Sequence, residues 1–454
     1  MSVAQTPQAS GTQEQFPAAL QANYALGLMF AAYILSFIDR QVLGVMIGPI
    51  KADLQLTDFQ FSLLQGAAFA VLYSIAALPF GRWSDIGNRK VIMGAGVLGW
   101  SLTTIGCGLT KTFPQLFVMR MAVGVGEAAL SPAAYSTISD SYPRHKLPRA
   151  MAIYKSGMIV GGGLALILGG RTYDYYASID GLSLPFYGPI MAWQATFITF
   201  GLPGILVAAL IFLTREPTRK GKLQGENQTD ITPKVSRVMH YMFVEHRQLY
   251  ISIFIGCSLL GIVTYGYSSW FTEMLIRNFD LTRSQAGARY GYTIITAGFI
   301  GILSGPSFVR FFEKRGHTNA PMRALLIFAL AVLPAAVAAP LMPQANLALT
   351  MVSVLTFFQA AYVGIAAAAL QIVTPNQMRG QATAVYIFAT NMLGLAIGSS
   401  VVAGVTDFVF ADDAALNLSL SLVSAILVPM AAFLFWRGLH PFATAIKQSE
   451  NWSS

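Results

Sequence analysis

Asp39 and Arg40 interrupt the first long apolar run, AALQANYALGLMFAAYILSFIDRQVLGVMIGPI, and Arg120 and Glu127 interrupt the fourth, LFVMRMAVGVGEAALSPAAYSTIS. A bare charge at bilayer depth costs roughly 2.5–3.5 kcal/mol even on the most lenient insertion scale. Four of them must be paired or wetted, and such residues commonly line an ion or substrate path. Arg120 and Glu127 stand two turns apart on one helix face. With the first segment running outward and the fourth inward, Asp39 and Arg120 fall at similar depth and are expected to pair across a cavity. Glu127 falls nearer mid-membrane, where loss of water weighs against a charged carboxylate. Held between that penalty and a movable arginine, Glu127 is expected to carry a proton, with Asp39 as its partner in coupling. A static ion-pair network locking the two helices is the alternative.

Other polar groups inside apolar runs are few. Lys155 follows Tyr154 in the fifth run, where it either meets an anionic headgroup or snorkels to the interface. The second half offers Tyr265, Trp270, Gln371, Tyr386 and Asn391, each equally readable as a packed or interfacial side chain. Glu273 lies near the external end of the seventh run and reads as an exposed or gating residue. A cavity charged on one wall and apolar on the other suits an amphipathic substrate.

Positioning these residues requires helices. The chain is 55% hydrophobic and 11% charged, against about 25% charged in soluble domains. It is an all-α integral membrane protein. Twelve apolar segments of spanning length lie near 23–47, 58–80, 91–110, 114–139, 147–170, 190–214, 249–276, 285–312, 320–340, 346–372, 379–407 and 414–437. A β-barrel would show short alternating segments instead. The polar stretch 1–22 lacks the basic start of a signal peptide and reads as a disordered cytoplasmic tail.

With both termini in the cytoplasm, 20 of the 29 Lys and Arg residues fall in cytoplasmic loops and tails and six in external loops, while Arg40, Arg120 and Lys155 fall within spans. That asymmetry follows the positive-inside rule and accounts for the net charge of +9 without nucleic acid as a partner. Cys107 and Cys257 both fall in spans, against a structural disulfide or metal site. The five histidines show no ligand spacing. With no nucleophile–base pair, metal motif or phosphate-binding glycine loop, an enzyme is not expected, and neither is a cofactor.

The chain divides into a six-helix bundle (23–214), a cytoplasmic linker (215–248), a second bundle (249–437) and a cytoplasmic tail (438–454). Within the linker, VSRVMHYMFVEHRQLY reads either as an amphipathic surface helix or as plain connection. The halves echo one another. GRWSDIGNRK (81–90) follows the second span and FVRFFEKRGH (308–317) the eighth, placing Asp85 and Glu313 228 residues apart. Ala150, Ala152 and Tyr154 match Ala382, Ala384 and Tyr386 at an offset of 232. Such consistent offsets point to an internal duplication, an arrangement found in transporters built from parallel repeats.

The loop GRWSDIGNRK resembles the signature loop of the major facilitator superfamily, with Ile86 and Asn88 departing from the usual basic residue and glycine. The resemblance implies the major facilitator fold and a cytoplasmic gate formed by Gly81, Asp85, Arg89 and Lys90, with Glu313 and Arg315 as the second-half counterpart. Gly81 would let the loop approach a neighbouring helix, and Asp85 would accept from a helix end or an arginine of the next repeat. FIDRQVLGVMIGPIKADLQLTD and RMAVGVGEAALSPAAYSTISDSYP are similar to the Spinster branch, whose relatives move lysolipids and sphingoid phosphates. A Gly-Glu-Ala element also occurs in organic-anion symporters of the superfamily. By this resemblance, Asp39, Arg40, Arg120 and Glu127 are the charged core; from their own place in the apolar runs, Lys155, Tyr265, Tyr386 and Asn391 join Arg40 and Arg120 as candidates for substrate contact. The glycines of GMIVGGGLALILGG (157–170), with Gly394 and Gly398, permit close helix packing. Lacking a Gly-Pro step, they leave symport and antiport open. The expectation is a monomeric, proton-coupled transporter of an amphipathic lipid in a bacterial inner membrane. A transporter of a small organic anion or drug is the alternative.

Overall fold

The computed structural model describes residues 16–143, 145–185, 187–219 and 235–450. The expected disorder of the N-terminal tail falls largely on residues 1–15, outside the described ones.

Among the described residues, twelve helices are long and apolar enough to cross a membrane. Spans 1 to 6 are Ala19–Val45, Asp58–Ile86, Arg89–Cys107, Phe113–Ser141, Leu147–Ala177 and Ala192–Leu213. Spans 7 to 12 are Arg247–Phe279, Arg283–Glu313, Ala320–Leu341, Ala345–Ile372, Arg379–Phe410 and Asp413–Gln448. Helices satisfy their own backbone polar groups, which lipid cannot do. An even number of spans puts both ends of the described chain on one side, the terminal side, and the loop between spans 1 and 2 on the far side. The segment from 438 onward continues the last helix as far as Glu450.

The duplication is visible in the packing. Span 1 packs on span 5, 2 on 4 and 3 on 6; in the second half 7 packs on 11, 8 on 10 and 9 on 12. The halves meet through spans 5 and 8 and through spans 2 and 11, a pairing that respects the same pseudo-twofold relation. The glycine run does lie at a helix interface. A Cβ on Gly163 would stand 2.7 Å from Gly291 O, and one on Gly287 would collide with Leu166 O, so spans 5 and 8 touch backbone to backbone.

Loop chemistry explains two boundaries. Span 2 remains helical through Gly81 to Ile86, and span 3 begins at Arg89, with the Asn88 side chain accepting from Val91 N at 3.2 Å. The unusual Asn88 is thus an N-cap. In the linker, Val235–His240 is helical and continues as a π turn over Tyr241–Glu245. Val238, Tyr241 and Met242 are buried, and Tyr241 donates to Val373 O at 3.2 Å, so this helix docks on the second half. Burial holds the adjoining His246 imidazole below its ordinary range.

Candidate functional site

Span 1 brings Ser36, Asp39 and Arg40 inward, then tightens into a single narrow turn at Val42–Val45. Span 4 breaks between Ala128 and Leu130, two residues past Glu127. Pro132 has no N–H to give to Ala128, which accounts for the break. Just before it, a Cβ on Gly124 would stand 2.6 Å from Phe69 O, so span 4 lies close against span 2. Asp39, Arg120 and Glu127 are buried, each no more than 2% exposed.

Their pairing differs from the sequence expectation. Glu127 Oε2 accepts from Arg40 Nε at 2.6 Å and from Ser36 Oγ at 2.6 Å. Arg120 Nη1 donates to the Asp39 carbonyl oxygen at 3.1 Å, while the Asp39 carboxylate accepts from Thr104 Oγ1 at 3.2 Å. Asp39 and Arg120 do come together, but the guanidinium meets the main chain rather than the carboxylate. The seven-residue spacing fixes depth and face; it does not fix which side of span 1 the arginine reaches. Among the described residues, Asp39 Oδ1, Arg120 Nε and Glu127 Oε1 have no hydrogen-bond partner. Three orphaned atoms in one buried cluster form an under-satisfied network.

Arg40 also faces aromatic rings. Its guanidinium lies 4.6 Å from the Phe69 centroid and 4.8 Å from those of Phe37 and Tyr73. A cavity of about 30 Å³ lies beside it, bounded by Gln41 and Gln65 in the first half and by Tyr265, Ser268 and Leu395 in the second. Lys155 is exposed, with its ammonium 5.0 Å from the Tyr135 ring and 6.0 Å from the Tyr33 ring. Tyr33 stacks in turn on Tyr154 at 4.5 Å.

The second-half candidates separate. Tyr265 reaches the cavity. Tyr386 sits 5.8 Å from the Phe254 ring, and Asn391 opens a π-helical turn, Asn391–Leu395, in span 11. Trp270 is core, donating to Ser399 O at 2.9 Å, and Gln371 is exposed. Glu273 is buried, contrary to the exposed reading, with Arg277 one turn on donating to it at 3.0 Å.

The expected gate residues are not joined across the halves. Asp85, Glu313 and Arg315 are exposed, and Arg315 lies over Phe311 at 3.9 Å. Asp85 offers its carbonyl, not its carboxylate, to Arg219. A Cβ on Gly81 would meet nothing within 4 Å, so no close helix approach occurs there. Arg89 is fully buried within the first half. It pairs with Asp140 and Glu216 and donates to Ser136 Oγ at 2.9 Å and Pro217 O at 2.8 Å. Lys90 donates to Thr214 O at 3.1 Å. These two cations bolt span 3 to the ends of spans 4 and 6.

On the far side the halves are tied by charges that the sequence reading missed. Arg277 holds Asp58 through two hydrogen bonds, at 2.8 and 2.9 Å. Lys51 pairs with Asp58 and, at 2.7 Å, with Asp413. Asp407 accepts from Phe59 N at 2.7 Å, and Ser62 Oγ meets Ser400 Oγ at 2.9 Å. Asp58, Asp407 and Asp413 converge closely, with Lys51 and Arg277 supplying the neutralising charge. Charges at helix ends are ordinary, so only their convergence across the halves marks them.

Comparison with known proteins agrees with this architecture. The pattern of the Major Facilitator Superfamily matches residues 29–399. An MFS-type efflux pump of Mycolicibacterium smegmatis is 22% identical over 422 residues, covering 91% of each chain. Protein spinster of Drosophila melanogaster is 24% identical over 296 residues, 64% of this chain and 46% of that protein, so the match spans about half of that relative's length. A probable L-galactonate transporter of Escherichia coli is 23% identical over 335 residues, covering 72% of this chain and 70% of that one. Among solved structures, a bacterial homolog of the human lysosomal transporter Spinster, inward-facing and unoccupied, superposes with a TM-score of 0.76. It is 25% identical, and the match covers 95% of this chain and 98% of that one.

Proposed function

The chain belongs to the Major Facilitator Superfamily and is a Spinster-like transporter, and we propose that it couples proton movement to transport of an amphipathic lipid, a lysophospholipid or sphingoid-like molecule, by alternating access. The observation that carries this reading is the under-satisfied charged core beside a cavity shared by both halves. Glu127 holds Arg40 while it is charged. Protonation removes that hold, and Arg40, already facing the cavity, becomes available to an anionic headgroup. Asp39 with its unpartnered oxygen is the second carboxylate of the relay, and Arg120 fixes the span 1 backbone at that point. Tyr265, Tyr386 and Asn391 are assigned to the second-half wall, and Lys155 to the path from the cytoplasm.

With the terminal side in the cytoplasm of a bacterial inner membrane, the far-side latch closes the external entrance and the conformation faces inward. Gly81, Asp85, Arg89, Lys90, Glu313 and Arg315 then belong to the gate that closes in the opposite state. The protein is taken to act as a monomer.

The competing reading is a small organic anion, favoured by resemblance to the L-galactonate transporter and by Arg40 at the cavity. Uptake into proteoliposomes, with and without a pH gradient, separates the two. Lysolipid should be taken up in a gradient-dependent way, with affinity set by headgroup charge, because the bilayer already shelters the tail at about 0.8 kcal/mol per CH₂. If short, tail-less anions compete as well as lysolipids, the lipid reading falls and the organic-anion reading replaces it.

A further inference from the structure

Away from the charged core, spans 1 and 5 splay apart at their terminal-side ends. Glycines hold them together further along: a Cβ on Gly161 would stand 2.6 Å from Ile34 O. Below that contact opens a crevice of about 750 Å³, closed at its end by Ser141, Tyr142 and Pro143. That volume falls in the range of ligand pockets. Its floor is apolar, made by Leu26, Phe30 and Ile153. Its mouth carries Lys146 and Arg149, both exposed, neither with an ion-pair partner among the described residues. Tyr142 donates to Asn23 Oδ1 at 2.8 Å across the same mouth. Gly27 lines the crevice and has nothing within 4 Å of where its Cβ would be.

We propose that this crevice is a binding site for an anionic phospholipid of the adjoining leaflet, distinct from the transport cavity, with the phosphate at Lys146 and Arg149 and one acyl chain along Leu26, Gly27, Phe30 and Ile153. Two unpartnered cations above an apolar floor, at the level of a span end, match a lipid in charge and in polarity. Basic pockets between spans on the cytoplasmic side are suited to anionic headgroups. Residues 1–15, which precede the crevice, carry a single acidic side chain, Glu14, and no aromatic residue, a poor complement to both parts of the site.

The test is native mass spectrometry of the full chain with phosphatidylglycerol or phosphatidylcholine added. Phosphatidylglycerol should be retained in preference, with one tight site. Replacing both cations, Lys146→Gln with Arg149→Gln, should weaken that site about thirtyfold, two charges at about 1 kcal/mol each. Gly27→Leu should also weaken it, by filling the crevice at unchanged charge, and Ile153→Trp provides an independent filler should the first variant misfold. Retention of wild-type affinity in both fillers would reduce the site to diffuse surface charge and overturn the proposal. Equal competition by glycerol 1-phosphate would make it a phosphate site, and tighter lipid binding after deletion of residues 1–15 would make that segment the occupant; either result overturns it.

Discussion

Two charge clusters, one in the first half and one between the halves, are built on opposite principles. The cluster of Asp39, Arg40, Arg120 and Glu127 lies within one half and leaves an atom unpartnered on each of three residues. The far-side cluster joins the halves, and there Asp58 has both carboxylate oxygens occupied, by Arg277 and Lys51. An under-satisfied buried network has something to gain from a proton or a ligand. A fully engaged carboxylate such as Asp58 has only a conformation to hold, although Glu273, which shares Arg277, keeps Oε2 without a hydrogen-bond partner among the described residues. The first is suited to coupling and the second to latching, and substitutions should separate the two roles.

The largest effect is expected at Glu127. Glu127→Gln keeps the size of the side chain and removes the charge that holds Arg40. Gradient-driven flux should fall to the rate seen without a gradient, while binding of substrate survives. Proteoliposome flux and a binding assay on the same preparation check both halves of this statement. Wild-type flux in the mutant would break the division of roles.

The latch comes next. Arg277→Gln deprives Asp58 of a two-point, charge-assisted partner, worth about 1.5–3 kcal/mol. The inward-to-outward ratio should shift by roughly ten- to a hundredfold toward the outward state. Spin labels on far-side loops of the two halves would read that shift as longer distances. Unchanged distances would mean that the contact of spans 5 and 8 holds the closure by itself.

Arg120→Lys should then cost about 1–3 kcal/mol, because a compact ammonium cannot reproduce the planar fork that reaches the Asp39 carbonyl. Thermal unfolding and transport should both suffer. Full activity in the lysine variant would show that the core needs only charge at that position.

These sites were unevenly legible in the sequence. The four core charges stood out because nothing else in the chain places ionised groups so deep in apolar runs. Their partners did not stand out: Ser36 and Thr104 are ordinary residues in a span, and whether Arg120 reaches the Asp39 carboxylate or its carbonyl depends on helix rotation, which spacing leaves free. The twelve spans were legible because their length and hydropathy are forced by the bilayer. The latch was hidden since Lys51, Asp58 and Arg277 look like any charges that end a helix, and their meaning lies in a contact between residues more than two hundred positions apart. Arg89 was misjudged in a different way. Read as a loop cation, it is fully buried in the first half, because Asp140 of span 4 and Glu216, just past the end of span 6, come to it from positions distant in sequence.

Asp85 supplies the smallest expected effect and the sharpest contrast with Asp58. Both are aspartates at the ends of span 2, one on each side of the membrane. Asp58 is buried and doubly paired, whereas the Asp85 side chain is exposed and, among the described residues, only its backbone is engaged. Asp85→Asn therefore removes nothing from the present conformation. If Asp85 finds its partner only when the terminal side closes, the substitution destabilises the opposite state alone. An exposed pair is worth about 0–1 kcal/mol, so the populations should move toward the present state by at most about fivefold. Turnover should slow by a comparable factor, with substrate affinity within each state unchanged. Distances between spin labels on the terminal-side ends of spans 2 and 8 would show the opposite state depopulated. Lost activity with unaltered populations would remove Asp85 from the gate, and the comparison of the two aspartates would rest on Asp58 alone.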